Sequence, residues 1–208
     1  LLRIARRLLL WRPRWPLLLV GAALATLALA VNFWAWNLLG PLAPTYRQLL
    51  ELSPFEVSLL VAVPALVGAL ARIPIGALTD RYGGRVMFTV VTVLTIVPVL
   101  FLSTAGSYPT LLAGGLLLGL GGASFAVGIP FVNAWTPPER RGLALGIYGA
   151  GNGGTAVSGF LSPSIAESLG LAWAYLIVAV ALGAVAVIFA LFGRDAPGHA
   201  ASNQSMRE

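Results

Sequence analysis

Six runs of about twenty mainly apolar residues, divided by turn and charge signals, constrain this chain more than any other feature. They are Leu17–Leu39, Val57–Leu78, Val86–Ser103, Tyr108–Val132, Gly142–Leu161 and Leu171–Phe192. Each is long enough to cross a hydrocarbon core as a helix, the one open-chain structure that satisfies its own backbone there. The separating signals are Gly40-Pro41-Leu42-Ala43-Pro44, the charged run from Asp80 to Arg85, Thr136 to Arg141, and Ser162-Pro163-Ser164. Composition agrees: 58% of the 208 residues are hydrophobic and 10% charged, against roughly 25% charged in soluble domains. The expectation is an all-α polytopic membrane protein with six transmembrane helices over residues 17–193. A basic cytoplasmic arm, 1–16, precedes it, and a polar cytoplasmic tail, 194–208, follows.

Arginine placement sets the expected orientation. All 13 basic residues are arginine. Arg3, Arg6, Arg7, Arg12, Arg14, Arg81, Arg85, Arg140, Arg141, Arg194 and Arg207 fall in the arm, the second and fourth loops and the tail. The other three loops hold only Arg47. Both termini are therefore expected in the cytoplasm, with Trp11, Trp15 and Trp135 as interfacial anchors. Although the net charge is +6, the basic residues form no patch beside stacking aromatics, so nucleic acid is not an expected partner. The lipid bilayer is.

With no cysteine and a single histidine, His199, in the tail, thiolate metal sites, cysteine nucleophiles and paired-histidine haem ligation have no candidates. No cofactor and no metal is expected, and no nucleophile or acid–base pair is assembled that would mark an enzyme.

Ser53-Pro54-Phe55-Glu56 and Thr136-Pro137-Pro138-Glu139 both have the pattern of a capping box with proline at the first helical position. Gly115 and Gly119, Gly142 and Gly146, and Gly149 and Gly153 are each four apart. That spacing puts each pair on one face and suits close helix contact, making spans four and five the expected inner helices. Pro98 is expected to kink span three, and Pro130 to bend the end of span four.

The segment Gly76-Ala77-Leu78-Thr79-Asp80-Arg81-Tyr82-Gly83-Gly84-Arg85 resembles the loop motif of the major facilitator superfamily. In physical terms, Gly76 allows close packing, Asp80 suits a helix N-terminus, and Arg81 and Arg85 hold the loop at the cytoplasmic face. Gly83 completes the motif. Six spans are half of the usual architecture of that superfamily, so the resemblance implies an N-terminal half. It also implies a second six-helix half as partner, whether lost by truncation, encoded separately or supplied by a homodimer.

Arg72 lies inside span two, where a charge usually faces a cavity or a partner. Counted eight residues back from Asp80, it is about 12 Å deep, close to the midplane of a core about 30 Å thick. No acidic residue lies inside any span, which leaves a bound anion as its natural partner. Phe125, ten residues before Trp135, and Asn152, eleven after Arg141, are each about 15 Å in from the same side. Tyr148 shares a helix face with Asn152, as Asn32 does with Trp36.

Asn152 stands among five glycines in Gly146-Ile147-Tyr148-Gly149-Ala150-Gly151-Asn152-Gly153-Gly154. Gly149, Gly151, Asn152 and Gly154 resemble the Gly-x-Gly-Asn-x-Gly core of the nitrate/nitrite porter family. Phe33-Trp34-Ala35-Trp36 with Pro41-Leu42-Ala43-Pro44, Arg72-Ile73-Pro74 and Gly122-Ala123-Ser124-Phe125 are similar to the same family. The resemblance implies that Arg72 binds the anion, that Phe125 walls it, and that Asn152 is a polar contact; the bare backbone at Gly149 and Gly151 lets a small ligand come close, and Tyr148, on the Asn152 face, is a further candidate. It implies transport of nitrate or nitrite, in nitrate assimilation, across the cell membrane. Nitrate is planar and matches the guanidinium fork, and the absence of an intramembrane carboxylate favours anion exchange, that is antiport, over proton symport. Another small anion, or a non-transporting partner of a separate half, is the alternative.

Overall fold

The computed structural model describes residues 15–196; the arm arginines, Trp11, His199, Arg207 and the far tail lie outside them. Helices α1 (Trp15–Trp36) and α2 (Leu39–Leu49) make the first span, and α3 (Pro54–Tyr82) and α4 (Gly84–Leu102) the second and third. Helices α5 (Tyr108–Gly122) and α6 (Ser124–Trp135) make the fourth, α7 (Arg141–Gly149) and α8 (Gly153–Leu169) the fifth, and α9 (Leu171–Phe192) the sixth. No strand occurs among the described residues. Five of the six spans are helical stretches long and apolar enough to cross a membrane; the fifth is interrupted by a 3-10 turn at Ala150–Asn152.

Several boundaries depart from the sequence expectation. Gly40–Pro44 lies inside α2, and Ser162–Ser164 inside α8. Pro41 falls in the first turn of α2, where its missing N–H leaves no intrahelical bond unmade. Within α8, Pro163 withholds an N–H from the Gly159 carbonyl, yet the helix runs on past it to Leu169; Ser164 Oγ donates to the Phe160 carbonyl at 3.0 Å. Span three is one helix through Pro98 to Leu102, and span four, with Pro130 inside its second helix, is interrupted at Ala123.

Of the two expected capping boxes, one forms. The Glu56 amide donates to Ser53 Oγ at 3.3 Å, and the Ser53 amide to Glu56 Oε2 at 2.9 Å. At Thr136 the two following prolines hold the chain extended (Thr136 ψ 129°, Pro137 ψ 148°). Thr136 Oγ1 instead donates back to the Val132 carbonyl at 2.8 Å, and the helix waits until Arg141. A further start, at Ser107, is closed by its amide donating to Thr110 Oγ1 at 3.2 Å.

The core divides into two apolar layers. One gathers Leu38, Leu42, Tyr46, Leu60, Leu111, Tyr175 and Leu182; the other Leu29, Phe33, Phe88, Val127, Phe131, Tyr148 and Phe189. Along α1 and α4 the changeover falls at buried polar residues: Asn32, Thr92 and Thr95. Asn32 Nδ2 donates to Thr92 Oγ1 at 2.9 Å and to the Ala28 carbonyl at 2.8 Å. With lipid as apolar as leucine, close van der Waals approach and such bonds hold the bundle together. Gly115 and Gly119 show that approach, since a Cβ on Gly119 would stand 2.5 Å from Val67 Cβ of α3.

The glycine pairs of span five behave differently. Among the described residues, a Cβ on Gly142, Gly146, Gly149 or Gly153 would meet nothing within 4 Å, whereas one on Gly154 would run into the Ala30 carbonyl. Span four is therefore the inner helix that its glycines suggest. In span five the contact face is Gly151 and Gly154, and the two spaced pairs look outward, because 3.6-residue periodicity and the 3-10 turn rotate them away from α1.

Candidate functional site

The site forms around the interruption in span four. Breaking a helix at Gly121–Ser124 frees carbonyls that lipid cannot satisfy, so side chains must. Ser124 Oγ donates to the Gly121 carbonyl at 2.7 Å, and Arg72 Nε to the Gly122 carbonyl at 3.3 Å. The Tyr148 hydroxyl donates to the Ser124 and Phe125 carbonyls at 3.1 and 3.3 Å. Trp36 backs the turn: its ring lies flush against Gly122 and Gly68, and its Nε1 donates to the Pro64 carbonyl at 2.9 Å.

Arg72 thus faces the carbonyl end of α5, the negative end of a helix dipole. Its Cζ lies 5.4 Å from the centroid of the Phe125 ring, a cation–π distance. Phe125 in turn meets Tyr148 (centroids 5.8 Å) and Phe33 (6.3 Å). Nε is engaged, and among the described residues neither Nη nitrogen of Arg72 has a hydrogen-bond or ion-pair partner. Arg72 and Phe125 are half-buried, so this fork of donors is held by packing on one side and open on the other.

Arg72, Phe125 and Tyr148 are in direct contact. Tyr148 is 1% exposed with its hydroxyl turned into the protein, and its ring fills the space that a side chain on Gly128 would take. Gly149 follows Tyr148 directly, and Asn152 lies one turn further along span five. Asn152 is exposed; its Nδ2 donates to the Gly149 carbonyl at 2.7 Å and keeps its second hydrogen. Gly151 is buried against α1, at Thr26 and Leu29.

At the C-terminal end of α3 the loop motif folds differently from expectation. Gly76 meets nothing within 4 Å. The carboxylate at the start of α4 belongs to Asp195, whose Oδ1 accepts the Arg85 amide N–H at 3.0 Å; Asp80 is exposed. Gly83, at φ +88°, makes room for it, since a Cβ there would stand 2.6 Å from Asp195 Oδ2. Arg85 also reaches the Ala190 carbonyl, Arg81 lies 5.3 Å from the Tyr82 centroid, and Trp135 Nε1 donates to the Arg194 carbonyl at 2.8 Å. Sequence reasoning missed Asp195. Its signal was available, as the first carboxylate after the last span, but nothing local ties it to residue 85.

The Major Facilitator Superfamily model matches residues 25–208. The chain belongs to that superfamily. A solved bacterial homolog of the human lysosomal transporter Spinster, inward-facing and unoccupied, superposes with a TM-score of 0.73 at 23% identity, over 88% of this chain and 44% of that one. The six spans are therefore one half of the superfamily fold.

Three curated relatives are closer in sequence. A probable nitrate/nitrite transporter of Mycobacterium tuberculosis, NarK2, is 51% identical over 84% of this chain and 45% of its own length. A nitrite extrusion protein of Bacillus subtilis is 40% identical over 84% of this chain and 44% of its own. A probable nitrate transporter of Staphylococcus aureus, NarT, is 40% identical over 80% and 43%. The chain spans less than half the length of these relatives.

Proposed function

We propose that this chain is the anion-binding first half of a nitrate/nitrite transporter of the cell membrane, working by alternating-access exchange with a second six-helix half. The observation that carries the reading is Arg72, a guanidinium deep in a span, seated over Phe125 and, among the described residues, with no carboxylate partner and with its Nη donors open. A planar anion matches that fork in two parallel hydrogen bonds. The names of the three relatives support nitrate or nitrite as the anion. Asn152 and Gly149 are the second group of contacts in this reading, a carboxamide hydrogen and open backbone on span five, while Gly151, packed on α1, holds that turn in place. Phe125 acts by shape and by fixing Arg72, because the face of a benzene ring is itself negative.

Exchange is favoured over proton symport by the carboxylates of this half, all of which lie in loops or at span ends. The arginine asymmetry favours both termini in the cytoplasm. Cysteines at Gly106 and Ser168 should then react from outside and one at Glu139 should not; the reverse pattern would invert the topology.

The deciding experiment measures nitrate affinity in the assembled transporter for wild type, Arg72→Lys and, as a control, Arg141→Lys. Lysine keeps the charge and loses the fork. Affinity should weaken by about 1–3 kcal/mol at Arg72, the scale of a charged hydrogen bond, and stay unchanged at Arg141. Unchanged affinity in Arg72→Lys would remove the physical basis of the assignment.

A further inference from the structure

A second cavity lies far from the Arg72 site, at the end of the bundle opposite the loop motif. It measures about 570 Å³ and is lined by Gly40, Ala43, Pro44, Arg47 and Gln48 of α2 and by Val57 and Val61 of α3. Helix α2 is held rigidly beside it. Leu42 and Tyr46 are buried on its other face, and the Tyr46 and Tyr175 hydroxyls share a hydrogen bond of 2.7 Å between α2 and α9. Arg47 and Gln48 are left exposed toward the cavity.

The chemistry of this cavity is one-sided. Among the described residues, Arg47 is the only charged one in its lining, and its guanidinium makes no hydrogen bond or ion pair. The two carboxylates nearest in sequence, Glu51 and Glu56, are not part of the lining, and Glu56 is engaged by Ser53. Apolar walls of alanine, proline and valine reduce the screening of a charge held between them, so its field concentrates in the cleft. Gln48 adds amide N–H donors. On α3, Val57, Val61, Ala65, Gly68 and Arg72 recur every three or four residues and share one face. Val61 is thus on the side of the helix that bears Arg72, eleven residues or about 16 Å away along the axis.

We propose that this cavity is a second, low-affinity anion site, in which Arg47 and the Gln48 amide hold a small monovalent oxyanion before it reaches the level of Arg72. The inference rests on the transport reading for the identity of the ion, and on the cavity's own lining for its charge. Open water on one side keeps the site weak, as an entry site must be if the ion is to leave it inward.

The chain has no cysteine, so a single Val61→Cys reports from this cavity alone. The experiment compares its modification rates by a sulfonate-bearing and a trimethylammonium-bearing methanethiosulfonate, on the full chain in lipid nanodiscs. Taking the ratio cancels any change in thiolate content and leaves the local potential. In the Arg47→Gln background the anionic-to-cationic ratio should fall by about threefold or more, and in Arg47→Lys it should be kept. Nitrate should slow the anionic reagent more than gluconate of equal ionic strength, and should still do so in Arg72→Lys. A ratio indifferent to Arg47→Gln, or protection by nitrate no better than gluconate, overturns the site. Protection lost in Arg72→Lys yet kept in Arg47→Gln also overturns it, by moving the effect to the deeper arginine. Nitrate flux through Arg72→Lys tests the transport reading separately.

Discussion

Spans four and five are both interrupted near their middles by glycine-rich turns, and the two interruptions are built in opposite ways. In span four the turn at Gly121–Ser124 is enclosed, and the carbonyls around it accept hydrogen bonds from Arg72, Ser124 and Tyr148. In span five the turn at Ala150–Asn152 satisfies itself: Asn152 Nδ2 bonds Gly149, and Thr155 Oγ1 bonds the Asn152 carbonyl at 2.9 Å. Its side chains stay exposed while Gly151 and Gly154 press on α1. The same composition therefore does two jobs. One break is a scaffold that orients a cation, and the other presents bare backbone and an amide.

The sharpest way to break that contrast is at the glycines. Gly154→Ala should destabilise the chain by about 3 kcal/mol, the upper range for overpacking, because its Cβ meets the Ala30 backbone rather than a movable side chain. Unfolding in mixed micelles measures this; a wild-type midpoint would show that α8 can slide off α1. Next in size is the affinity loss of about 1–3 kcal/mol expected for Arg72→Lys. Asn152→Ala should lose less, since one exposed amide bond is weaker than a charged one. An equal or larger loss there would make span five the principal anion contact.

Tyr148→Phe deletes one buried hydroxyl and leaves the span-four carbonyls their other bonds. About 1 kcal/mol of stability should go with it, and unfolding midpoints of the two proteins give the value. The smallest effect is expected for Gly146→Ala, within about 0.5 kcal/mol, as for surface substitutions away from special features. If that substitution is neutral in this chain but weakens assembly with a second half, the outward glycine face is the docking face.

Legibility in the sequence followed the range of each interaction. The sixth span, Leu171–Phe192, emerges with the bounds its hydropathy gave it, because lipid solvation acts residue by residue. Arg72 and Phe125 were matched in depth by counting 1.5 Å per residue, and they are in contact. What the sequence left hidden depends on neighbours far along the chain. Nothing around Gly122 says that its carbonyl will meet Arg72, fifty residues away. Prolines misled where a first-turn position removed their penalty, as at Pro41, and where the helix runs on through the ring, as at Pro163. Spacing alone could not tell Gly119, packed on Val67, from Gly146, packed on nothing.

The contact between Asp195 and Arg85 sets an order of events during synthesis. The third span leaves the ribosome with the Arg85 N–H at its head unmet, and the carboxylate that accepts it comes 110 residues later. At roughly 5–20 residues per second that interval is on the order of ten seconds. Throughout it, the junction between spans two and three can still adjust its register against the membrane surface. Arrival of the sixth span ends that freedom, so the bundle is fastened last at the point where its neighbouring spans were first joined.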